Sequence, residues 1–128
     1  MDPIANLLTT IKNAQAVKKQ TVTVPFSNLK FELLEILKRE GYIENYKKKG
    51  RPPKRRIIIN LEYHNNEPVI HGVKLISKPS RRIYLKRKKL YLPKSGYGLL
   101  ILSTSKGLMS SKEAKRNNLG GEIICEIW

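Results

Sequence analysis

The chain has 128 residues, with 26 Lys and Arg against 10 Asp and Glu, and hence a formal net charge of +16. That length suits one compact domain or two small subdomains sharing a hydrophobic seam, and 40% apolar residues are enough for a core, which excludes disorder as the default. A single cysteine, Cys125, excludes an internal disulfide framework, no apolar run approaches the ~20 residues of a membrane span, and Met1-Asp2-Pro3 lacks a basic-then-apolar leader pattern. The cytosol or an equivalent reducing compartment is expected.

A charge of this size repels itself. A polyanion relieves the repulsion while releasing its own condensed counterions, so nucleic acid is the expected partner. An anionic membrane surface is the competing polyanion. It calls for an amphipathic helix with a Lys/Arg face opposite Trp, Phe and Leu; the helices of this sequence lack that form, and no membrane contact is expected.

In chain order, Asp2-Pro3 starts a helix, with a carboxylate at the N-cap and a pre-set φ at the first helical position. Ile4, Leu7, Leu8, Ile11 and Ala14 recur on one face, which leaves Thr10, Lys12 and Asn13 outward. Thr21 to Val24 alternates as a short strand ended by Pro25. Ser27 or Asn28 caps a second helix, with Leu29, Leu33, Ile36 and Leu37 on one stripe and Gly41 as its stop. Strands follow at Tyr42 to Tyr46 and Arg56 to Tyr63, the latter with Ile57, Ile59, Leu61 and Tyr63 on one face. The run from Lys47 to Arg56 has no apolar residue except its prolines and is expected to be an exposed hairpin loop.

Asn65-Asn66 forms a turn and marks the expected boundary between an α-β-α-β-β subdomain, 1–66, and a mostly β subdomain, 67–128. Strand signals in the second run over Val69 to Ser77, Arg82 to Leu85, Leu99 to Leu102 and Glu122 to Trp128. Leu99-Leu100-Ile101-Leu102 is apolar on both faces and should be a central, buried strand. One short helix fits, capped by Ser110 with Glu113 and closed by Asn118 and Gly120-Gly121. The fold class is therefore α+β, in two small subdomains.

The densest chemical signal is Ser103-Thr104-Ser105-Lys106-Gly107, directly after the buried strand. Three hydroxyls, an ammonium and a glycine on a rigid stem can reach a 2′-OH, a phosphate or a base edge. In a neutral protein the same residues would read as an ordinary polar turn before a helix; the +16 background turns the choice toward RNA. The order is wrong for a nucleotide-binding P-loop, and Gly96-Tyr97-Gly98 is a hairpin turn rather than a dinucleotide fingerprint, since Ile101 stands where the third glycine belongs. Two basic segments carry no acid: Lys47 to Arg56, which includes Lys54 and Arg55, and Lys78 to Lys94, which includes Arg82 and Lys86. Both suit phosphate contact. Tyr84 and Tyr91 interleave the second; Tyr84 either stacks on an unpaired base or faces the core.

Catalysis has little to build on. His64 and His71 have no partner at metal spacing, and Cys125 alternates with Ile123 and Ile127 as a core residue does. Glu32 with Glu35 and Glu122 with Glu126 are close only in sequence, so no nucleophile–base–orienter set is expected. No enzyme activity, cofactor or small-molecule substrate is expected.

Ser103-Thr104-Ser105-Lys106-Gly107-Leu108-Met109, Glu113-Ala114 and Gly120-Gly121-Glu122-Ile123 together resemble the signature of the bacterial-type small-subunit ribosomal protein S8 family. Asp2-Pro3-Ile4-Ala5-Asn6, Ile11-Lys12-Asn13-Ala14, Glu40-Gly41-Tyr42-Ile43 and Arg82-Ile83-Tyr84 extend the likeness over the whole chain. The resemblance implies a two-subdomain α+β protein that binds the central domain of 16S rRNA early in subunit assembly. It implies that Ser103, Thr104, Ser105, Lys106, Gly107, Gly120, Gly121 and Glu122 grip a distorted stem with unpaired bases. Tyr84 and the first-helix residues Thr10, Lys12 and Asn13 are carried over with them. It also implies contacts with neighbouring small-subunit proteins and, as in some members, with the protein's own mRNA. Lys47 to Arg56 is more basic than the eubacterial pattern, which leaves a bacterial ribosome and a plastid one both open. A free translational repressor or RNA chaperone is the alternative within nucleic-acid binding.

Overall fold

A computed structural model describes residues 3–92 and 98–128; the Asp2 cap, Lys94 and the Gly96-Tyr97 part of the expected glycine turn lie outside them. The chain is α+β and divides into two compact units, Met1–His71 and Gly72–Trp128. Asn65 and Asn66 both take positive φ and close a small hairpin within the first unit, so the division falls after His71.

In the first unit, helix α1 (Pro3–Ala16) is followed by β1 (Thr21–Pro25), α2 (Asn28–Arg39), β2 (Ile43–Lys49), β3 (Arg56–Leu61), β4 (Tyr63–His64) and β5 (Glu67–Pro68). The three longer strands form an antiparallel sheet in the order β1-β3-β2. One face of this sheet is apolar because every second residue turns the same way: Val24, Ile57, Ile59, Leu61 and Ile43 are buried. From α1, Ile4, Leu7, Leu8, Ile11 and Ala14 are buried as their spacing required. On α2 the stripe shifts by one residue: Leu34 is buried with Leu33, Ile36 and Leu37, while Leu29 is exposed. Ser27 is the N-cap, its hydroxyl accepting from Lys30 N at 3.1 Å. Gly41, at φ +83°, lies just beyond the C-cap residue Glu40.

One expectation fails in this unit, and one buried polar residue was not anticipated. Lys47, Lys48 and Lys49 are not loop: they continue β2, paired with Ile58, Ile57 and Arg56 of β3, and only Gly50 to Arg55 connects the strands. Cross-strand pairing with an apolar strand overrides the coil tendency of a lysine run. Gln15, at the end of α1, is fully buried. Its amide nitrogen donates to Glu62 O at 3.0 Å and its oxygen accepts from Ile70 N at 3.4 Å, so it satisfies two backbone groups that no strand reaches.

The second unit comprises β6 (Val73–Leu75), β7 (Tyr84–Leu85), a 3-10 turn (Arg87–Lys89), β8 (Leu99–Thr104), β9 (Gly107–Ser110), α3 (Ser111–Arg116) and β10 (Gly121–Ile127). The sheet runs β6-β10-β8-β9, and β7 extends the β6 side of β10 at its other end. Leu99, Leu100, Ile101 and Leu102 are all buried, as expected of a central strand. Leu90, Leu100, Leu102, Ala114 and Ile123 form one core cluster, with Ile76, Ile83, Leu85, Met109 and Leu119 packed around it. Ser110 caps α3, accepting from Glu113 N at 3.2 Å. The strands expected at Val69 to Ser77 and Arg82 to Leu85 shrink to three and two residues. Strand β9 was not anticipated, because Gly107 to Ser110 reads locally as the approach to a helix and is extended only by pairing with β8.

Gln15→Leu should cost about 1–3 kcal/mol, because Ile70 N–H and Glu62 C=O lose their partner in a buried setting; urea unfolding measures it. A second outcome concerns pH. Tyr46 donates to Glu35, and Tyr91 donates to Glu126 at 2.7 Å. Partial burial first, and then the hydrogen bond and charge of the glutamate, push both phenols up to about 12. The folded chain thus keeps protons that an unfolded tyrosine releases near pH 10, so this stabilisation is complete below pH 10 and is lost between 10 and 12. The double variant Tyr46→Phe/Tyr91→Phe should therefore show a shallower fall in unfolding free energy over that window than the parent chain.

Candidate nucleic-acid interface

In the second unit, β8 and β9 form a hairpin whose last pair is Thr104 with Gly107, leaving Ser105 and Lys106 at the tip. Thr104 Oγ1 donates to Gly107 O at 2.8 Å and accepts from Lys106 N at 3.1 Å. This corrects the expectation of three available hydroxyls. The Thr104 hydroxyl closes the turn, and Ser103, Ser105 and Lys106 are the exposed groups. Gly107 sits at φ +106°, a conformation a side chain would strain.

Strand β10 carries the hairpin toward β7. Glu122 pairs with Ser103 on one side and with Tyr84 on the other, so Tyr84, Glu122 and Ser103 form one cross-strand row. The alternation of the Arg82-Ile83-Tyr84-Leu85 stretch decides the Tyr84 question. Ile83 and Leu85 pack on the core cluster, and Tyr84 is 66% exposed. Ser77 holds this stretch: its hydroxyl accepts from Ile83 N at 3.0 Å, while Ile83 O accepts from Ile123 N at 2.8 Å. Arg82 Nη1 reaches the Glu122 carboxylate at 3.1 Å, with the Arg82 side chain 58% exposed and that of Glu122 only 15%. Glu122 thus points its charge at Arg82, and it orients the guanidinium rather than offering a bare carboxylate.

At Gly120 and Gly121 the backbone leaves no room for a side chain. A Cβ on Gly121 would lie 2.2 Å from Ser103 O, and one on Gly120 would lie 2.4 Å from Leu85 O and 2.9 Å from Lys86 Cα. They let β10 approach β8 and the Leu85-Lys86 backbone. Beside them, Lys86, Arg87, Lys88, Lys89 and Asn118 line an open concavity of about 550 Å³. Arg87 is steered there by its Nε bond to Lys115 O, 3.0 Å.

The structure therefore gathers Arg82, Tyr84, Lys86, Ser103, Thr104, Ser105, Lys106, Gly107, Gly120, Gly121 and Glu122 on or immediately beside one sheet and its hairpin. Thr10, Lys12, Asn13, Lys54 and Arg55 belong to the other unit. There the Thr10 hydroxyl donates to Asn6 O at 2.7 Å within its own helix. Arg55 is half-buried over the Phe26 ring, 5.4 Å from its centroid, whereas Lys54, Lys12 and Asn13 are exposed. Sequence reasoning missed Ser77, whose bond to Ile83 spans no regular element, and the Arg82–Glu122 pair, because no local spacing links residues 40 apart. Among the described residues no three His, Cys, Asp or Glu come together as a metal site, and no helix is long and apolar enough to cross a membrane. Gly121→Ala should cost about 1–3 kcal/mol in urea unfolding, since the atom it meets is backbone; unchanged stability would mean that the strands have slack.

The chain matches the family model described as ribosomal protein S8 over residues 2–128. It is 46% identical over 127 residues to small ribosomal subunit protein uS8 of Mycoplasmopsis pulmonis, covering 99% of this chain and 96% of the relative. The protein of the same name from Kosmotoga olearia is 47% identical, with 99% and 98% covered. That from Dictyoglomus thermophilum is also 47% identical, with 99% and 97% covered. With a match that runs the length of both partners and includes the hairpin and the glycine pair, the chain belongs to the ribosomal protein S8 family.

Proposed function

We propose that this chain is a structural constituent of the small ribosomal subunit that binds a bulged stem in the central domain of 16S rRNA and helps to assemble the subunit platform. Its relatives are named for the small subunit, and the +16 charge suits a polyanionic partner. One observation carries the RNA reading: the Tyr84–Glu122–Ser103 row, with Glu122 held by Arg82 and the Ser105-Lys106 tip beyond it. Such an edge offers an aromatic face, two serine hydroxyls, a guanidinium and an ammonium without an unpaired carboxylate.

In this mechanism Lys86, Lys106 and Arg82 neutralise phosphates and set the orientation. Tyr84 stacks on an unpaired base, and the hydroxyls of Ser103 and Ser105 reach 2′-OH or base edges. Thr104, Gly107, Gly120 and Gly121 act through the backbone by holding the tip in place. Lys12, Asn13 and Lys54 are further RNA contacts from the other unit, with Thr10 and Arg55 as supporting residues. Neighbouring small-subunit proteins complete the list of partners, and the same edge would bind a stem of like shape in the protein's own mRNA. The relatives are bacterial, which favours a ribosome in the bacterial cytoplasm over a plastid one.

The test is a salt titration of binding to two RNAs, the bulged central-domain stem and the same stem fully paired. The bulged stem should bind tighter by about 4 kcal/mol or more at moderate salt, with similar salt slopes; equal binding to both would remove shape recognition. Ser105→Ala should weaken only the bulged complex, by about 1–3 kcal/mol. Thr104→Ala should weaken it too, and should also loosen the hairpin, seen as faster amide exchange at Lys106. Equal losses on both RNAs would sink the proposed role of the tip.

A further inference from the structure

Strands β6 and β7 lie along the same edge of β10, and together they read as one strand with a gap. Val73, Lys74 and Leu75 pair with Ile127, Glu126 and Cys125. Ile76 N then donates to Ile124 O at 3.0 Å, and Ile123 N donates to Ile83 O at 2.8 Å. Tyr84 and Leu85 resume the ladder against Glu122 and Gly121. The edge of β10 is thus met without interruption from Ile127 to Gly121, while residues 77–82 leave the sheet between Ile76 and Ile83. This break stands opposite the register shift between Ile123 and Cys125. Ile101 and Ser103 share a face of β8, so their partners Cys125 and Glu122 share one too, and the bulge at Ile124 absorbs their odd spacing.

The excursion closes on itself without fixing where it rejoins β10. Lys78 N donates to Arg81 O at 2.8 Å and Arg81 N to Lys78 O at 2.9 Å, whichever residue follows into the ladder. Beyond the excursion, β7 offers only two pairs, and the Arg82–Glu122 ion pair adds little because its guanidinium is largely solvated. So short a stretch can slip or lift from β10. A slip of one residue turns Tyr84 toward the core cluster and Leu85 outward, since neighbouring strand residues face opposite ways. The half-buried Ser77 hydroxyl supplies the missing hold. It accepts from Ile83 N at 3.0 Å and donates to Ile83 O at 3.4 Å, so one side chain meets the backbone of one residue where no partner strand reaches it.

Resting on the RNA reading above, we propose that Ser77 is a positioning residue for RNA recognition: its hydroxyl splices the broken strand at Ile83 and so fixes Tyr84 in the row with Glu122 and Ser103. Ser77 acts through Tyr84 and not by touching RNA. A ring that stacks on an unpaired base must be held in place beforehand, because ordering a loose one on binding costs affinity. The splice involves no charge. Ser77 therefore governs discrimination between RNA shapes and leaves the phosphate-neutralising cations as they are.

The test uses full-length S77A, S77T, Y84A and S77A/Y84A chains against the bulged stem and the same stem fully paired. S77A should bind the bulged stem at least about fivefold more weakly, with the paired stem and both salt slopes unchanged. S77T keeps the hydroxyl and should restore the parent affinity. In the Y84A background S77A should change bulged-stem affinity by less than about twofold, since its effect passes through the ring. In the free protein, S77A should speed amide exchange at Ile83 and Tyr84 about tenfold while that of β8 stays as in the parent. Equal S77A losses with and without the Tyr84 ring would overturn the proposal, because a merely structural role predicts additivity. Unchanged exchange at Ile83, or S77T behaving as S77A on the bulged stem, would overturn it as well. Equal binding of both stems by the parent chain strikes the RNA reading instead, and the exchange comparison then decides the Ser77 splice on its own.

Discussion

The second unit depends on how closely β10 can lie against its neighbours. At Gly121 the backbone of Ser103 occupies the place of a side chain, and at Gly120 the backbone from Leu85 to Arg87 does the same. Without that approach Glu122 would not sit between Ser103 and Tyr84, nor would its carboxylate meet Arg82. Two missing Cβ atoms therefore set the spacing of an aromatic ring, a guanidinium and a hydroxyl hairpin that come from three separate stretches of chain. On the proposed reading this edge inherits the rigidity of β8 and β10, which would suit recognition of a shape rather than a sequence.

Electrostatics shape both units through the same device. A chain with 26 basic and 10 acidic residues cannot pair its cations internally, so where each acid goes matters. Glu122 is spent on orienting Arg82, and Glu35 and Glu126 accept from Tyr46 and Tyr91. In the first unit, the Phe26 ring faces Lys48 and Arg55, and the Phe31 ring faces Lys48. Among the exposed groups are cations on ordered backbone, at the hairpin tip and around the Lys86 to Lys89 concavity.

Much of this was legible in the sequence, and the failures have definite causes. The five apolar residues of α1 and the Leu99 to Leu102 strand declared themselves because burial on one face, or on both, writes a period into the chain. Leu29 misled because the α2 stripe is wide and an alternative register through Leu34 fits it equally well. The lysines of β2 were taken for loop because nothing local shows that an apolar strand will pair with them. Nothing local marks Gln15 as buried, since its partners Glu62 and Ile70 are 47 and 55 residues away.

The sequence by itself determined the partner class, through charge, and the α+β class, through periodicity; its hairpin and glycine motifs also sufficed to suggest the family. Only the tertiary structure decided which polar groups are free to act. Thr104 is consumed by its own turn while Ser105 is not, and Arg55 is drawn over a ring while Arg56 faces outward. The reason is that in a strand neighbouring side chains point to opposite faces. Which face is open depends on register and on what packs against the sheet, and distant residues supply both.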